Sequence, residues 1–434
     1  MDYTGRKAAF YTLGCKLNFS ETSTIARSFT DKGFEKVDFK DKADVYVINT
    51  CSVTNQGDKS SRNIIRQAAK RNPNAMVVVV GCYAQLKPGE IGHIEGVDMV
   101  LGTKEKFNIP KYLGALSKKE HPEIVTTRQS NLTNYHKAFS WGDRTRSFLK
   151  VQDGCDYYCS FCTIPLARGR SRNDNIANTV AEAKKILQRG FKEIILTGVN
   201  IGDFGKSTDE TFYDLLVALE KVEGLERLRI SSVEPNLLND RIIELVAASK
   251  VLMPHFHIPL QSGSDEVLSL MKRRYSTGVF ASRIKKIREI IPGAFIGVDV
   301  IAGTNGETDK LFQESYDFIN QLEISQLHAF PYSERSGTQA LKIPWKVPVE
   351  ERKERTQKYI NLSEKKLRAF YEKNLGSKRT ALFEEQHNKG RMVGFTENYI
   401  RVETDYNEQL ANNLVKVKLL SINTNGHVDI SFSE

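Results

Sequence analysis

Short apolar runs at residues 8–13, 45–48, 76–80 and 97–101 alternate with longer helix-like stretches such as 20–32 and 60–70. That rhythm predicts a parallel α/β sheet. Each of the first three runs leads within one or two residues to a cysteine, through Gly14-Cys15, Asn49-Thr50-Cys51 and Gly81-Cys82. Parallel strands place their C-terminal ends on one edge, where open sheets bind ligands, so these three thiols are expected to converge. Three unrelated buried cysteines is the competing reading, and the repeated placement after a strand weighs against it.

A polar stretch over residues 126–143 reads as a linker, after which the alternation restarts with strands expected at 147–151, 193–197, 227–231, 255–260, 295–300 and 326–330. Six βα units predict a partial barrel, with chemistry at the C-terminal strand ends. Cys155, Cys159 and Cys162 lie in the loop after the first of these strands. A long helix is expected over 348–374. From 376 the pattern changes to five short alternating strands separated by Asn/Gly turns, which suits a small antiparallel β-barrel of oligonucleotide-binding type. The chain is thus expected to be multidomain α/β: 1–125 with a parallel sheet, a linker at 126–143, a partial (βα)6 barrel at 144–375, and a β-barrel at 376–434.

Composition narrows the class. The 434 residues exceed what one core usually serves, and 40% hydrophobic with 27% charged residues describes an ordinary soluble protein. No apolar stretch approaches the roughly 20 residues of a membrane helix, and no signal-peptide core follows the start, so a cytoplasmic protein with reduced thiols is expected. The net charge of +10 admits a polyanionic partner; the slightly acidic segment after 376 is not its source.

The six cysteines form two triplets with none left over. Three thiolates are one short of a closed structural zinc site, whereas a 4Fe–4S cluster held by three cysteines keeps one iron open to another ligand. The spacing Cys155-x3-Cys159-x2-Cys162, with Phe161 before the last cysteine, resembles the signature of radical S-adenosylmethionine enzymes. A zinc knuckle is the alternative for this triplet alone. Thr12-Leu13-Gly14-Cys15-Lys16-Leu17-Asn18, Ile48-Asn49-Thr50-Cys51 and Gly81-Cys82-Tyr83-Ala84 are similar to the three cysteine motifs of the methylthiotransferase N-terminal domain. The resemblance covers nearly the whole chain. It implies two 4Fe–4S clusters, one on Cys155, Cys159 and Cys162 and an auxiliary one on Cys15, Cys51 and Cys82, together with S-adenosylmethionine.

It also implies that Phe161, Thr197, Gly198, Asn200, Ser232, Glu234, Gln261, Asp299 and Gly303 surround the cofactor, from the motifs that end the barrel strands. The chain departs from the family at Thr304-Asn305, where Phe-Pro is usual. The expected substrate is a tRNA adenosine at position 37. The stretches 44–55, 197–205 and 328–340 most resemble the threonylcarbamoyladenosine branch; isopentenyladenosine and a ribosomal-protein aspartate are the alternatives. The resemblance further implies an electron-donor protein such as a flavodoxin or ferredoxin, a sulfur donor, and a C-terminal TRAM domain with Phe395 and Tyr399 as stacking groups. Arg168, Arg170, Arg172, Arg273 and Arg274 are expected to meet phosphates of the anticodon stem-loop, with Arg144, Arg146, Lys150 and Lys272 nearby. A non-catalytic RNA-binding protein with structural or redox-sensing clusters is the reading from another class.

Overall fold

The apolar runs of the first third become strands of one parallel sheet in the computed structural model, which describes residues 2–142 and 145–433. The strands β1 (Lys7–Thr12), β2 (Glu35–Val37), β3 (Val45–Thr50), β4 (Met76–Gly81), β5 (Met99–Leu101) and β6 (Glu123–Val125) pair in the order β2-β1-β3-β4-β5-β6. Every residue of β3 and β4 is buried, which is why neither alternates apolar with polar. Tyr46, Val77 and Val79 point into the core on one face, and Val45, Val47, Val78 and Val80 into that on the other. The strands β2 and β6 were not expected. Both are three-residue pieces carrying glutamate, and they leave no apolar run to read.

Helices α1 (Lys16–Thr30), α2 (Asn55–Arg71), α3 (Cys82–Leu86), α4 (Pro88–Gly92) and α5 (Ile164–Arg168) accompany this sheet. Thr54 caps α2 by accepting from the Gly57 amide at 3.0 Å, while Asp58 in the first turn and Lys70 and Arg71 in the last complement the helix dipole. The expected linker is no free tether. Ala138, Phe139 and Ser140 are buried, and the Trp141 amide donates to Ser23 Oγ on α1 at 2.8 Å. Strand β7 (Ser147–Lys150) meets this segment through the Phe148 amide, which donates to Ser140 Oγ.

The described residues form two compact units, one comprising Met1–Trp141, Phe148–Asp174 and Ser333–Thr338, and the other Gly142–Ser147, Asn175–Tyr332 and Gln339–Glu434. The Cys155–Cys162 loop therefore sits in the first unit, with the N-terminal sheet.

The second unit holds the parallel pair β8 (Glu193–Thr197) and β9 (Arg227–Arg229) and the parallel trio β10 (His255–Gln261), β11 (Phe295–Ala302) and β12 (Gln326–Pro331). Single parallel bridges, Leu228 to Leu252 and Ser232 to His257, connect the two groups. Its helices are α6 (Ile176–Leu187), α7 (Phe212–Glu220), α8 (Asp240–Ala248), α9 (Asp265–Leu270), α10 (Thr277–Ile290), α11 (Asp309–Gln321) and α12 (Val349–Asn374).

The last five strands, β13 (Lys378–Asn388), β14 (Arg391–Thr396), β15 (Arg401–Asp405), β16 (Leu414–Ile422) and β17 (Val428–Phe432), pair in the order β13-β14-β15-β17-β16, and β16 returns to β13. The sheet is mixed, not antiparallel as expected, because β15 and β17 run parallel. Topology requires this: an odd number of strands cannot alternate direction around a closed ring. Ala381, Phe383, Val402, Val417 and Val428 fill its interior, continuous with Phe295, Phe370 and Tyr371 outside the segment.

Candidate functional site

The first cysteine triplet stands where the strand pattern placed it. β1, β3 and β4 are neighbours, in register at Thr12 with Asn49 and at Thr50 with Gly81, so their C-terminal ends are level. Cys15 is the residue before α1, Cys51 follows β3, and Cys82 opens α3. Gly14 makes the turn at φ 98°, and a Cβ there would lie 2.9 Å from Cys51 Sγ. Only glycine combines that dihedral with that closeness. Burial pushes the Cys51 thiol up to about 12, and neighbouring Cys82 adds to it. Cys15, by contrast, is exposed. Unliganded, a thiol placed as Cys51 is keeps its proton, so metal binding must displace it.

The second triplet is held by a short, tightly tied loop. Asp153 and Arg172 bridge its base with amide-to-carbonyl bonds of 2.9 Å in both directions. The Cys155 amide donates to the Gly169 carbonyl at 3.1 Å. Tyr158 lies at φ 51°, uncommon for a bulky side chain, and reverses the chain between Cys155 and Cys159. Amides of Tyr157 and Ile164 point at Cys155 Sγ (3.5 Å) and Cys162 Sγ (3.4 Å). Thr163 Oγ1, beside Cys162, donates to the carbonyl of Ser52, beside Cys51, at 3.4 Å, so the two triplets are neighbours.

These features suit iron–sulfur clusters. Three thiolates leave a tetrahedral structural zinc one ligand short, whereas a 4Fe–4S cluster held by three cysteines keeps one iron open to another ligand. Backbone amides aimed at sulfur favour its anionic form and adjust cluster potentials.

A buried charge network adjoins both triplets, and the sequence reading missed it. Glu21 on α1 accepts from Lys106 Nζ at 2.6 Å, from Lys150 Nζ at 3.0 Å and from Arg168 at 3.0 Å. Asp153 accepts from Lys150 at 2.7 Å, Arg168 at 2.9 Å and Arg172 at 3.1 Å. All six side chains are buried. Burial alone would raise the carboxyls of Glu21 and Asp153, but the surrounding cations outweigh it and hold both well below the usual range. Burial lowers the Lys106 ammonium to about 8, against Glu21. Removing one partner of such a buried pair costs about 3–5 kcal/mol.

The network corrects the expected phosphate contacts. Arg168 and Arg172 have side chains only 2% and 8% exposed and are committed to carboxylates. Lys150 is equally enclosed. Arg273 is paired with Glu234 inside the second unit. Arg170, 77% exposed, and Arg274 stay on the surface. Arg146 lies 4.4 Å over the Phe395 ring and pairs with Glu384 at 2.7 Å; Arg144 lies outside the described residues. Phe395 and Tyr399, expected as base-stacking groups, stack on each other at 5.0 Å, and Arg229 covers Tyr399 at 4.8 Å.

In the second unit the expected cofactor residues gather at strand ends. Thr197 closes β8, and Gly198 and Asn200 follow it. Ser232 sits on the bridge to His257, and Gln261 ends β10 at φ 70°. Burial raises the Glu234 carboxyl, which Arg273 counters. Asp299 Oδ1 lies 2.8 Å from His257 Nε2. At Gly303 a Cβ would collide with Arg352, and the amide donates to Glu307 Oε1 at 2.8 Å. At the departure from the family, Asn305 anchors the loop by donating to the Ala340 carbonyl at 2.9 Å. Phe161 belongs to the first unit and is half-buried.

Comparison with known proteins agrees with this layout. Residues 7–102 match the uncharacterized protein family UPF0004, and residues 149–319 match the radical SAM superfamily. The threonylcarbamoyladenosine tRNA methylthiotransferase MtaB of Bacillus subtilis is 40% identical over 95% of this chain and 93% of its own length. MtaB of Aquifex aeolicus is 40% identical over 92% and 97%. A tRNA-2-methylthio-N(6)-dimethylallyladenosine synthase of Clostridium botulinum is 30% identical over 95% and 94%. The radical S-adenosylmethionine methyltransferase TsrM of Kitasatospora setae, solved with cobalamin and a [4Fe-4S] cluster, shares the fold at a TM-score of 0.57, with 15% identity over 76% of this chain and 75% of that one. With its two cysteine triplets at strand ends and these full-length relatives, the chain belongs to the radical S-adenosylmethionine methylthiotransferases, in the branch of the MtaB enzymes.

Proposed function

We propose that this enzyme places a methylthio group on carbon 2 of N6-threonylcarbamoyladenosine at position 37 of tRNA. The observation that carries the reading is the pair of three-thiol sets in one compact unit, in a chain 40% identical nearly end to end to enzymes of that name. Two 4Fe–4S clusters and S-adenosylmethionine, when bound, supply the radical that activates the C–H bond and the sulfur that replaces the hydrogen.

The residues of the chain then have defined tasks. Cys155, Cys159 and Cys162 hold one cluster, and Cys15, Cys51 and Cys82 the other. Amides of Tyr157 and Ile164 favour anionic sulfur at the first of these. Thr197, Gly198, Asn200, Ser232, Glu234, Gln261 and Asp299 are proposed to orient the cofactor from the strand ends of a partial (βα)6 barrel. Arg170 and Arg274 remain as candidate phosphate contacts on the anticodon stem-loop, and the segment from 376 is read as a TRAM domain. Its surface, not the stacked pair Phe395 and Tyr399, would meet RNA. A low-potential electron-donor protein and a sulfur donor complete the partners, in the cytoplasm; among the described residues no helix is long and apolar enough to cross a membrane.

Mass spectrometry of tRNA nucleosides from cells lacking the gene is the test. Loss of the methylthio group from threonylcarbamoyladenosine alone, restored by the wild-type gene but not by Cys51→Ala or Cys159→Ala, is expected. Loss from isopentenyladenosine, or unchanged tRNA with one lighter ribosomal protein, would replace the reading. The reconstituted protein should carry roughly eight irons, halved in either triplet variant.

A further inference from the structure

The six-membered network of the first unit holds four cations, Lys106, Lys150, Arg168 and Arg172, against two carboxylates, Glu21 and Asp153. The neighbouring His136 and Tyr135 do not make up the difference. His136 is kept neutral at ordinary pH, its imidazolium disfavoured by burial and by Lys150 and Lys106, and burial holds the Tyr135 phenol protonated. A net positive charge sealed from water is costly unless something anionic lies beside it. The groups beside it are the thiols of the first triplet. Arg168 interacts electrostatically with Cys15, Cys51 and Cys82. It is also tied to their strand ends: Arg168 Nη2 donates to Asn18 Oδ1 at 2.6 Å, and Asn18 Nδ2 donates to the carbonyls of Leu13 (2.9 Å) and Thr50 (3.2 Å), which precede the Gly14-Cys15 turn and Cys51.

We propose that the buried cation excess centred on Arg168 is the fixed counter-charge of the cluster on Cys15, Cys51 and Cys82, raising its reduction potential so that it accepts an electron at the low potentials where the enzyme works. An iron–sulfur core on three thiolates is anionic, and one-electron reduction adds a further negative charge. A guanidinium in a water-excluded site stabilises the reduced form more than the oxidised one. Arg168 keeps its charge at any working pH. Arg168 is in this view a positioning residue that acts through the cluster's charge. The inference rests on the reading that this triplet holds a cluster.

Redox titration followed by electron paramagnetic resonance tests it, on full-length protein in which Cys155, Cys159 and Cys162 are alanine so that only the first-triplet cluster reports. Dithionite or a photoreduced deazaflavin serves as reductant. Arg168→Met should make the midpoint more negative by at least a tenfold change in the reduced-to-oxidised ratio at fixed potential, about 59 mV for one electron. Arg168→Lys, which keeps the charge and loses the forked geometry, should stay close to the parent. Lys106→Met, one residue further through Glu21, should shift in the same direction by less, and it serves if Arg168→Met does not load iron. An unmoved midpoint in a fully loaded Arg168→Met protein, or an Arg168→Lys shift as large as that of Arg168→Met, would overturn the proposal. Failure of both methionine variants to load iron while remaining folded would also overturn it, by making the network a scaffold. Absence of iron from the parent would instead defeat the cluster assignment.

Discussion

His136 shows how one side chain records its surroundings. Its ring stacks on Phe107 at 4.7 Å, and burial, followed by the charges of Lys150 and Lys106, pushes its pKa down to about 4. The unfolded value is near 6.5, so between about 4 and 6.5 the unfolded chain binds the extra proton and stability rises with pH. The urea midpoint should accordingly fall between pH 7.5 and pH 5. His136→Phe, which keeps the stack, should flatten this dependence; an equally steep loss in the variant would assign it elsewhere. No pattern in the sequence marks this histidine, because its neighbours arrive from segments near residues 106 and 150. The same holds for Glu21 and Asp153, which look like solvated charges until the fold brings four cations to them. The cysteines were legible for the opposite reason: each follows its own local strand signal.

Strands buried on both faces and helices with clear caps were readable, and their ends set the chemistry. Gly14 is the sharpest instance, since the turn after β1 must combine φ 98° with contact against Cys51. Gly14→Ala should keep the secondary structure seen by circular dichroism yet lose most iron from the first triplet, with the Cys155–Cys162 cluster retained. Full iron content in that variant would show that the turn tolerates a side chain. Elements that were misread lack a periodic signal of their own. The pieces at 35–37 and 123–125 are edge strands carrying glutamate, and the segment 126–143 is polar in composition yet buried through Ala138, Phe139 and Ser140. The parallel pairing of β15 and β17 follows from ring closure, which no single strand encodes.

At the scale of the molecule, the boundaries suggested by composition do not coincide with those of packing. The first unit draws on three separated stretches of chain, and the segment from 376 shares its core with Phe295, Phe370 and Tyr371. A fragment ending at residue 125 would keep Glu21 and Lys106 and lose Lys150, Asp153, Arg168 and Arg172. It should aggregate or stay partly unfolded by circular dichroism and bind little iron after reconstitution, whereas the full chain loads both triplets. A soluble, cooperatively unfolding 1–125 fragment with four irons would contradict this.

The six-residue return Ser333–Thr338 carries a consequence for biogenesis. Arg335 donates to Ser52 Oγ at 2.6 Å, to Asp58 Oδ2 at 2.8 Å and to Asn55 Oδ1 at 2.6 Å, just past Cys51. On a translating ribosome the nascent sheet reaches its full set of strands long before that guanidinium emerges, and until then the buried Asp58 carboxylate has only Ser52 Oγ and Lys87 Nζ beside it. About two-thirds of the polypeptide therefore separates Cys51 from the arginine that steadies the turn after it.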